Sequence, residues 1–124
     1  MHAWLIVAAL LSLDVKPLAQ DLLRQRGIFE DIEVAAFVVR AEDGTLDLVH
    51  WPRGDYRQAH WEGLMPDHVV AVMHTHPWQV PRPSVQDAAE AHRLQLPFYV
   101  VSRPRLCVVG TDGAISCGKL DEPR

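Results

Sequence analysis

Four stretches of this chain are apolar almost without a break: "EVAAFVV" from Glu33, "HVVAVMHTH" from His68, "PFYVVS" from Pro97 and "RLCVVG" from Arg105. Short runs of this kind, rich in valine and bounded by proline or charged residues, read as buried strands. Branching at Cβ favours the pleated backbone over the helix. Segments of another period lie between them. "DVKPLAQDLLRQRG" sets Leu18, Leu22 and Leu23 on one stripe, with Asp14 as a possible cap, Pro17 in the first turn and Gly27 as a stop, so it predicts a helix. "PSVQDAAEAHRLQ" opens on the capping pattern Ser84-x-x-Asp87 and continues through good helix formers. "AEDGT" carries an Asp-Gly turn signal and "LDLVHW" returns from it, which predicts a hairpin. "TDG" turns once more before "AISC", the last expected strand, and "KLDEPR" is expected to fray. Pro52 to Asp67 shows no clean period and reads as a loop. The order helix, hairpin, strand, helix, strands predicts an α/β sandwich built on a mixed sheet.

Composition narrows the function classes. A chain of 124 residues is one domain by length and can bury roughly two thirds of its unfolded surface. Apolar residues make up 48% and charged residues 23%, a globular rather than disordered balance. The net charge is -4 and no Lys/Arg-rich run exists, so neither nucleic acid nor an anionic membrane is an expected partner. Cys107 and Cys117 flank "VVGTDGAIS" and can approach across that hairpin, but two reduced core thiols are the expectation for a cytosolic chain. The apolar start, "MHAWLIVAALLSL", is too short to span a bilayer. It has no preceding Lys or Arg and no clear small-x-small cleavage site, so it predicts a buried first strand or helix in a cytoplasmic protein.

The chemistry concentrates in "HTHPWQVPRPSVQD", His74 to Asp87. Residues i and i+2 of a strand point to one face, so His74 and His76 present two imidazoles side by side. Alone, His-x-His is as well explained by two polar residues at a strand end. Pro77 ends the strand because it has no N–H for the ladder, and Pro81 and Pro83 stiffen the return. Ser84 and Asp87 are what a helix start looks like, with Ser84 as N-cap and Asp87 in the first turn. A helix starting there also places Asp87 to face back toward the histidines, and the two readings do not exclude each other. Two imidazoles and one carboxylate leave a fourth position for water, the composition of a catalytic zinc centre. Zinc lowers the pKa of such a water to about 7. Hydrolysis then needs a proton shuttle, and Glu30, Asp31 and Glu33 are the acids nearest a core strand. Glu33 opens "EVAAFVV", where a carboxylate entering an apolar strand needs a partner. A solvated strand start is the alternative for it.

Together, Glu33 at the head of an early strand and His74-Thr-His76, seven residues from Pro77 to Pro83, Ser84, two residues and Asp87 resemble the signature of the JAMM (MPN-plus) zinc metalloproteases. The likeness runs from about Leu18 to Gly118. It implies the MPN/JAMM-like, cytidine-deaminase-like fold, a mixed β-sheet flanked by helices. It implies that His74, His76 and Asp87 ligate one Zn²⁺ with a bound water, that Glu33 takes a proton from that water and delivers it to the leaving amine, and that Ser84 bonds the oxyanion. It also implies isopeptide or peptide cleavage after the C-terminal glycine of a ubiquitin-like or sulfur-carrier protein. Ala35 and Ala36 stand where many members carry Cys-Gly. Pro52 to Asp67 is short where eukaryotic deubiquitinases carry substrate-gripping insertions, so the resemblance is to small bacterial and phage members. The alternatives are a peptidase of phage-tail assembly and a non-catalytic MPN scaffold. His50, His60, His68 and His92 are expected at the surface. Trp51, Trp61 and Trp78 are expected either to border the cleft or to pack as core.

Overall fold

The computed structural model describes residues 15–27, 33–52, 61, 63–76, 80–103 and 105–120. Helix α1 spans Lys16–Arg26. Val15 occupies its N-cap without a side-chain bond, Pro17 sits in the first turn, and Gly27 ends it at φ 67, its N–H donating to the Leu23 carbonyl. Asp14 lies outside the described residues, as does the apolar N-terminal run. The strands are β1 (Ala35–Arg40), β2 (Leu46–His50), β3 (Val69–Thr75), β4 (Phe98–Val101), β5 (Arg105–Val109) and β6 (Ile115–Lys119), with helix α2 (Val85–Leu94) between β3 and β4.

The strands form one sheet in the order β2-β1-β3-β4-β5-β6. β3 and β4 run parallel and the other pairs antiparallel, so the sheet is mixed. The single parallel pair needs a crossover, and α2 supplies it. Each run's apolar residues divide between two faces. Ala36, Val38, Ala71, Met73, Tyr99 and Val108 pack with Leu18, Leu22 and Leu23 of α1. Phe37, Val72, Phe98 and Val109 pack with Ala91 and Leu94 of α2. A strand covered on both sides has no polar face, which is why these runs do not alternate. Leu22 is fully buried, and Leu22→Ala at this site costs about 2–5 kcal/mol of stability.

Two expectations are corrected. The tail does not fray at Lys119: β6 continues through that residue, and Leu120 is buried against the α1 core. Cys107 and Cys117 are not reduced thiols but a disulfide. They are equidistant from Asp112, whose turn with Gly113 sets the β5–β6 register, so they stand directly opposite each other with Cα atoms 4.0 Å apart. The reduced-thiol expectation rested on reading the chain as cytosolic. No helix among the described residues is long and apolar enough to cross a membrane.

Candidate metal centre

The centre forms where β3 ends beneath the start of α2. His74 pairs with Ala35 of β1 on one side and Val100 of β4 on the other, so its backbone is held within the ladder. Its ring points to the α2 face, as Val72 does two residues earlier. His76 lies just past the strand. Its N–H donates to the Val101 carbonyl at 2.9 Å, which continues the strand geometry one step further. The two rings therefore meet edge to face, with centroids 4.8 Å apart. Glu33 precedes β1, and the Val34–Thr75 bonds that begin the β1–β3 pairing carry it to the same place: the Val34 N–H donates to Thr75 Oγ1 at 3.2 Å, and the Thr75 N–H to the Val34 carbonyl at 3.0 Å.

Hydrogen bonds select one tautomer for each imidazole. His74 Nδ1 donates to Glu33 Oε1 at 2.9 Å, and His76 Nδ1 donates to the Val80 carbonyl at 3.0 Å, since carboxylate and carbonyl oxygens accept. Both Nε2 atoms turn toward Asp87, at 3.0 Å from Oδ1 for His74 and 3.4 Å from Oδ2 for His76. This is the outer-partner arrangement that fixes metal-binding histidines.

Asp87 serves the helix and the centre together. The Ser84 N–H donates to Asp87 Oδ2 at 2.7 Å, and the Asp87 N–H donates to Ser84 Oγ at 3.1 Å, a complete capping box. The cap is what aims the carboxylate, since it fixes the aspartate at the first turn with Oδ1 toward His74. The cap and ligand readings of Ser84-x-x-Asp87 are thus two uses of one geometry.

The residues fit a metal ion. His74 Nε2 is buried and faces Asp87 Oδ1 at 3.0 Å, an ion-pair contact without good hydrogen-bond geometry. A buried nitrogen held only in this way is uncommon, and an ion between it and the carboxylate would bind both. One ligand atom from each of His74, His76 and Asp87 lies within 4.8 Å of the others. Two imidazoles and a carboxylate suit a first-row divalent ion such as zinc.

The charges follow from this packing. Burial opposes a proton on His74, but the Asp87 and Glu33 carboxylates outweigh it and raise the imidazole to about 9. Burial opposes charge on Asp87 as well, yet His74 and the Ser84 N–H hold it down at about 2. Burial and the neighbouring charge of His74 depress His76. At pH 7 the metal-free group therefore holds one proton, on His74. Metal binding there is expected to release about one proton from the ligands, and apparent affinity is expected to fall about tenfold per pH unit below that pKa. Calorimetry in buffers of different ionisation enthalpy measures the release; zero protons at pH 7 contradicts the assignment.

The candidate centre opens into a cavity of about 440 Å³ that Trp51, Val72, Leu94 and Phe98 also line. Trp51 is half-buried and packs on Phe37 with ring centroids at 5.2 Å; Trp61 meets the same ring at 5.0 Å. Both tryptophans thus belong to the apolar cluster, and Trp51 also borders the cleft. His50, His68 and His92 are exposed and outside the metal group. Glu30, Asp31, His60, Pro77 and Trp78 lie outside the described residues. The structure brings Glu33, His74, His76, Ser84 and Asp87 to one cavity. Sequence reasoning missed the Val80 carbonyl and Arg26, which bonds the His76 carbonyl. A backbone acceptor leaves no signal in sequence. The signal for Arg26 was its place on the stripe of Leu18, Leu22 and Leu23, one turn beyond the last of them. No protein-family model matches the chain, and no curated protein matches it.

Proposed function

We propose that this chain is a zinc metallopeptidase domain of the JAMM type, with the MPN-like fold. Its substrate bond follows the C-terminal glycine of a ubiquitin-like or sulfur-carrier protein, in deconjugation or precursor processing. The observation that carries the reading is the convergence of His74, His76 and Asp87 with Glu33 beside them in an open cavity. Held by His74, His76 and Asp87, zinc would supply Lewis-acid chemistry near neutral pH.

The chain's own groups do the rest. Asp87 and the two imidazoles hold the ion. Glu33 fixes the His74 tautomer through Oε1 and keeps a second oxygen to accept a proton and return it to the leaving amine. Glu90 also lines the cavity, but it is engaged by Arg93 at 2.6 Å, which favours Glu33 as the proton carrier. Ser84 Oγ accepts from the Asp87 N–H, so its own hydrogen remains to donate to an oxyanion. Ser84→Ala is expected to lower turnover by about 10²–10³-fold through loss of that donor. The lost cap costs only about 1 kcal/mol. Turnover and melting temperature measured on the same preparation separate the two, and unchanged turnover with a lowered melting temperature leaves Ser84 as a cap alone.

A peptidase of phage-tail assembly would use the same chemistry on another substrate, and a scaffold would use none of it. The test offers the zinc-loaded protein a ubiquitin-like or sulfur-carrier protein extended past its terminal glycine and reads the products by mass spectrometry. Metal-dependent cleavage after that glycine, blocked when the glycine is replaced by phenylalanine, supports the reading. Intact carrier beside cleavage of an unrelated peptide refutes the substrate, and no hydrolysis of any peptide by zinc-loaded protein favours the scaffold.

A further inference from the structure

Arg26 ends α1, in the helix layer on the other side of the sheet from α2, and only 1% of it is exposed. Its Nη1 donates to the main-chain carbonyl of His76 at 3.0 Å. A guanidinium is expensive to bury, and an apolar side chain fills such a volume at lower cost, so packing alone does not explain an arginine here. The end of a helix offsets part of that cost, because its carbonyls favour a cation. The His76 carbonyl is one of its partners. His76 is the residue after the last one of β3, and Pro77, which follows it, has no N–H. His74 is gripped on both sides by the ladder, whereas among the described residues His76 has a ladder bond only through its N–H. Its carbonyl is held by Arg26 and its Nδ1 by Val80. These three bonds hold the backbone and the ring.

We propose that Arg26 is a positioning residue of the metal centre: by holding the His76 carbonyl from the opposite layer, it fixes the backbone from which one of the three ligands projects. The inference rests on the metal reading of His74, His76 and Asp87. Arg26 touches neither metal nor substrate, and it acts through His76. Its loss loosens one leg of the tripod and leaves His74 and Asp87 in place.

Cobalt(II) is the probe, added to the metal-free full chain as wild type, Arg26→Met, Arg26→Lys and Leu22→Ala. Affinity is read by chelator competition, coordination by the visible absorption spectrum, and folding by the melting temperature. Arg26→Met is expected to stay folded, to bind cobalt about 10–100-fold more weakly and to show an altered spectrum, the size of effect seen when an outer partner of a ligand is lost. Arg26→Lys, which keeps a donor, is expected to restore affinity and spectrum toward wild type. Leu22→Ala, on the same helix, is expected to lower the melting temperature and leave both metal readouts unchanged. Wild-type affinity and spectrum in Arg26→Met overturn the proposal, as does equal weakening in Leu22→Ala, which makes the effect one of general stability. If Arg26→Met does not fold, Arg26→Leu, which also lacks a donor, is measured in its place against the same outcomes. Wild-type protein that binds no cobalt overturns the metal site itself, and this inference with it.

Discussion

Glu33→Gln is expected to cut hydrolysis by about 10²–10⁴-fold while metal binding and stability stay near wild type. Glutamine has the shape of glutamate, and its amide oxygen still accepts from His74 Nδ1, the bond that sets the ligand tautomer. What it lacks is a basic oxygen to take a proton. The side chain is only partly buried, so the cavity receives the amide without stranding a charge. Single-turnover rates, cobalt affinity and melting temperature measured together check all three parts. A Glu33→Gln variant that hydrolyses at the wild-type rate removes Glu33 as the proton carrier. Parallel substitutions at Glu30 and Asp31 show where the role then falls. A variant that instead loses metal makes Glu33 chiefly the partner of His74, and the proton carrier must be sought elsewhere in the cavity.

Asp87→Asn is expected to separate the helix cap from the metal ligand. The asparagine oxygen still accepts from the Ser84 N–H, so α2 keeps its start. The anionic ligand is gone, and metal affinity is expected to fall by more than the ~10–100-fold typical of losing an outer partner. The change also shows in metal-free protein. His74 has a folded pKa of about 9 against an ordinary 6.5, so its proton stabilises the metal-free fold fully below pH 6.5, and that contribution disappears as pH rises through 9. Asp87 is a main cause of the elevation, so Asp87→Asn should flatten this loss of stability across the window. Melting curves from pH 6 to 10 on both proteins, each freed of metal, measure it. Identical pH profiles mean that Asp87 does not govern the His74 proton, and undiminished metal binding returns Asp87 to the role of cap alone.

Most of the architecture was legible because the strongest signals were local. The Val-rich runs at Glu33, His68, Pro97 and Arg105 became β1, β3, β4 and β5, and the Asp-Gly turns joined the strands they were expected to join. Ser84-x-x-Asp87 formed its capping box, and the same bond geometry delivered the carboxylate to the histidines. What stayed hidden depends on register and on contacts distant in sequence. The Cys107–Cys117 bridge follows from pairing symmetric about Asp112, which spacing permitted but did not require. Leu120 is buried because the chain returns to α1 after β6, a tertiary fact with no local pattern. Glu33 was singled out for its place at the head of an apolar strand, but its bond to His74 depends on the β1–β3 register. Arg26 and the Val80 carbonyl reach His76 across the fold and along a proline-rich loop, where hydrophobic periodicity carries no information.

The central claim is that His74, His76 and Asp87 form one metal centre, and zinc stoichiometry tests it most directly. Protein freed of metal by a chelator, dialysed and titrated with zinc at pH 7.5 is expected to bind about one ion per chain. The chain with His74, His76 and Asp87 all replaced by alanine, shown to be folded by circular dichroism, is expected to bind none with comparable affinity. Wild-type protein that takes up no zinc, or an alanine variant that binds it as tightly as wild type, contradicts the account.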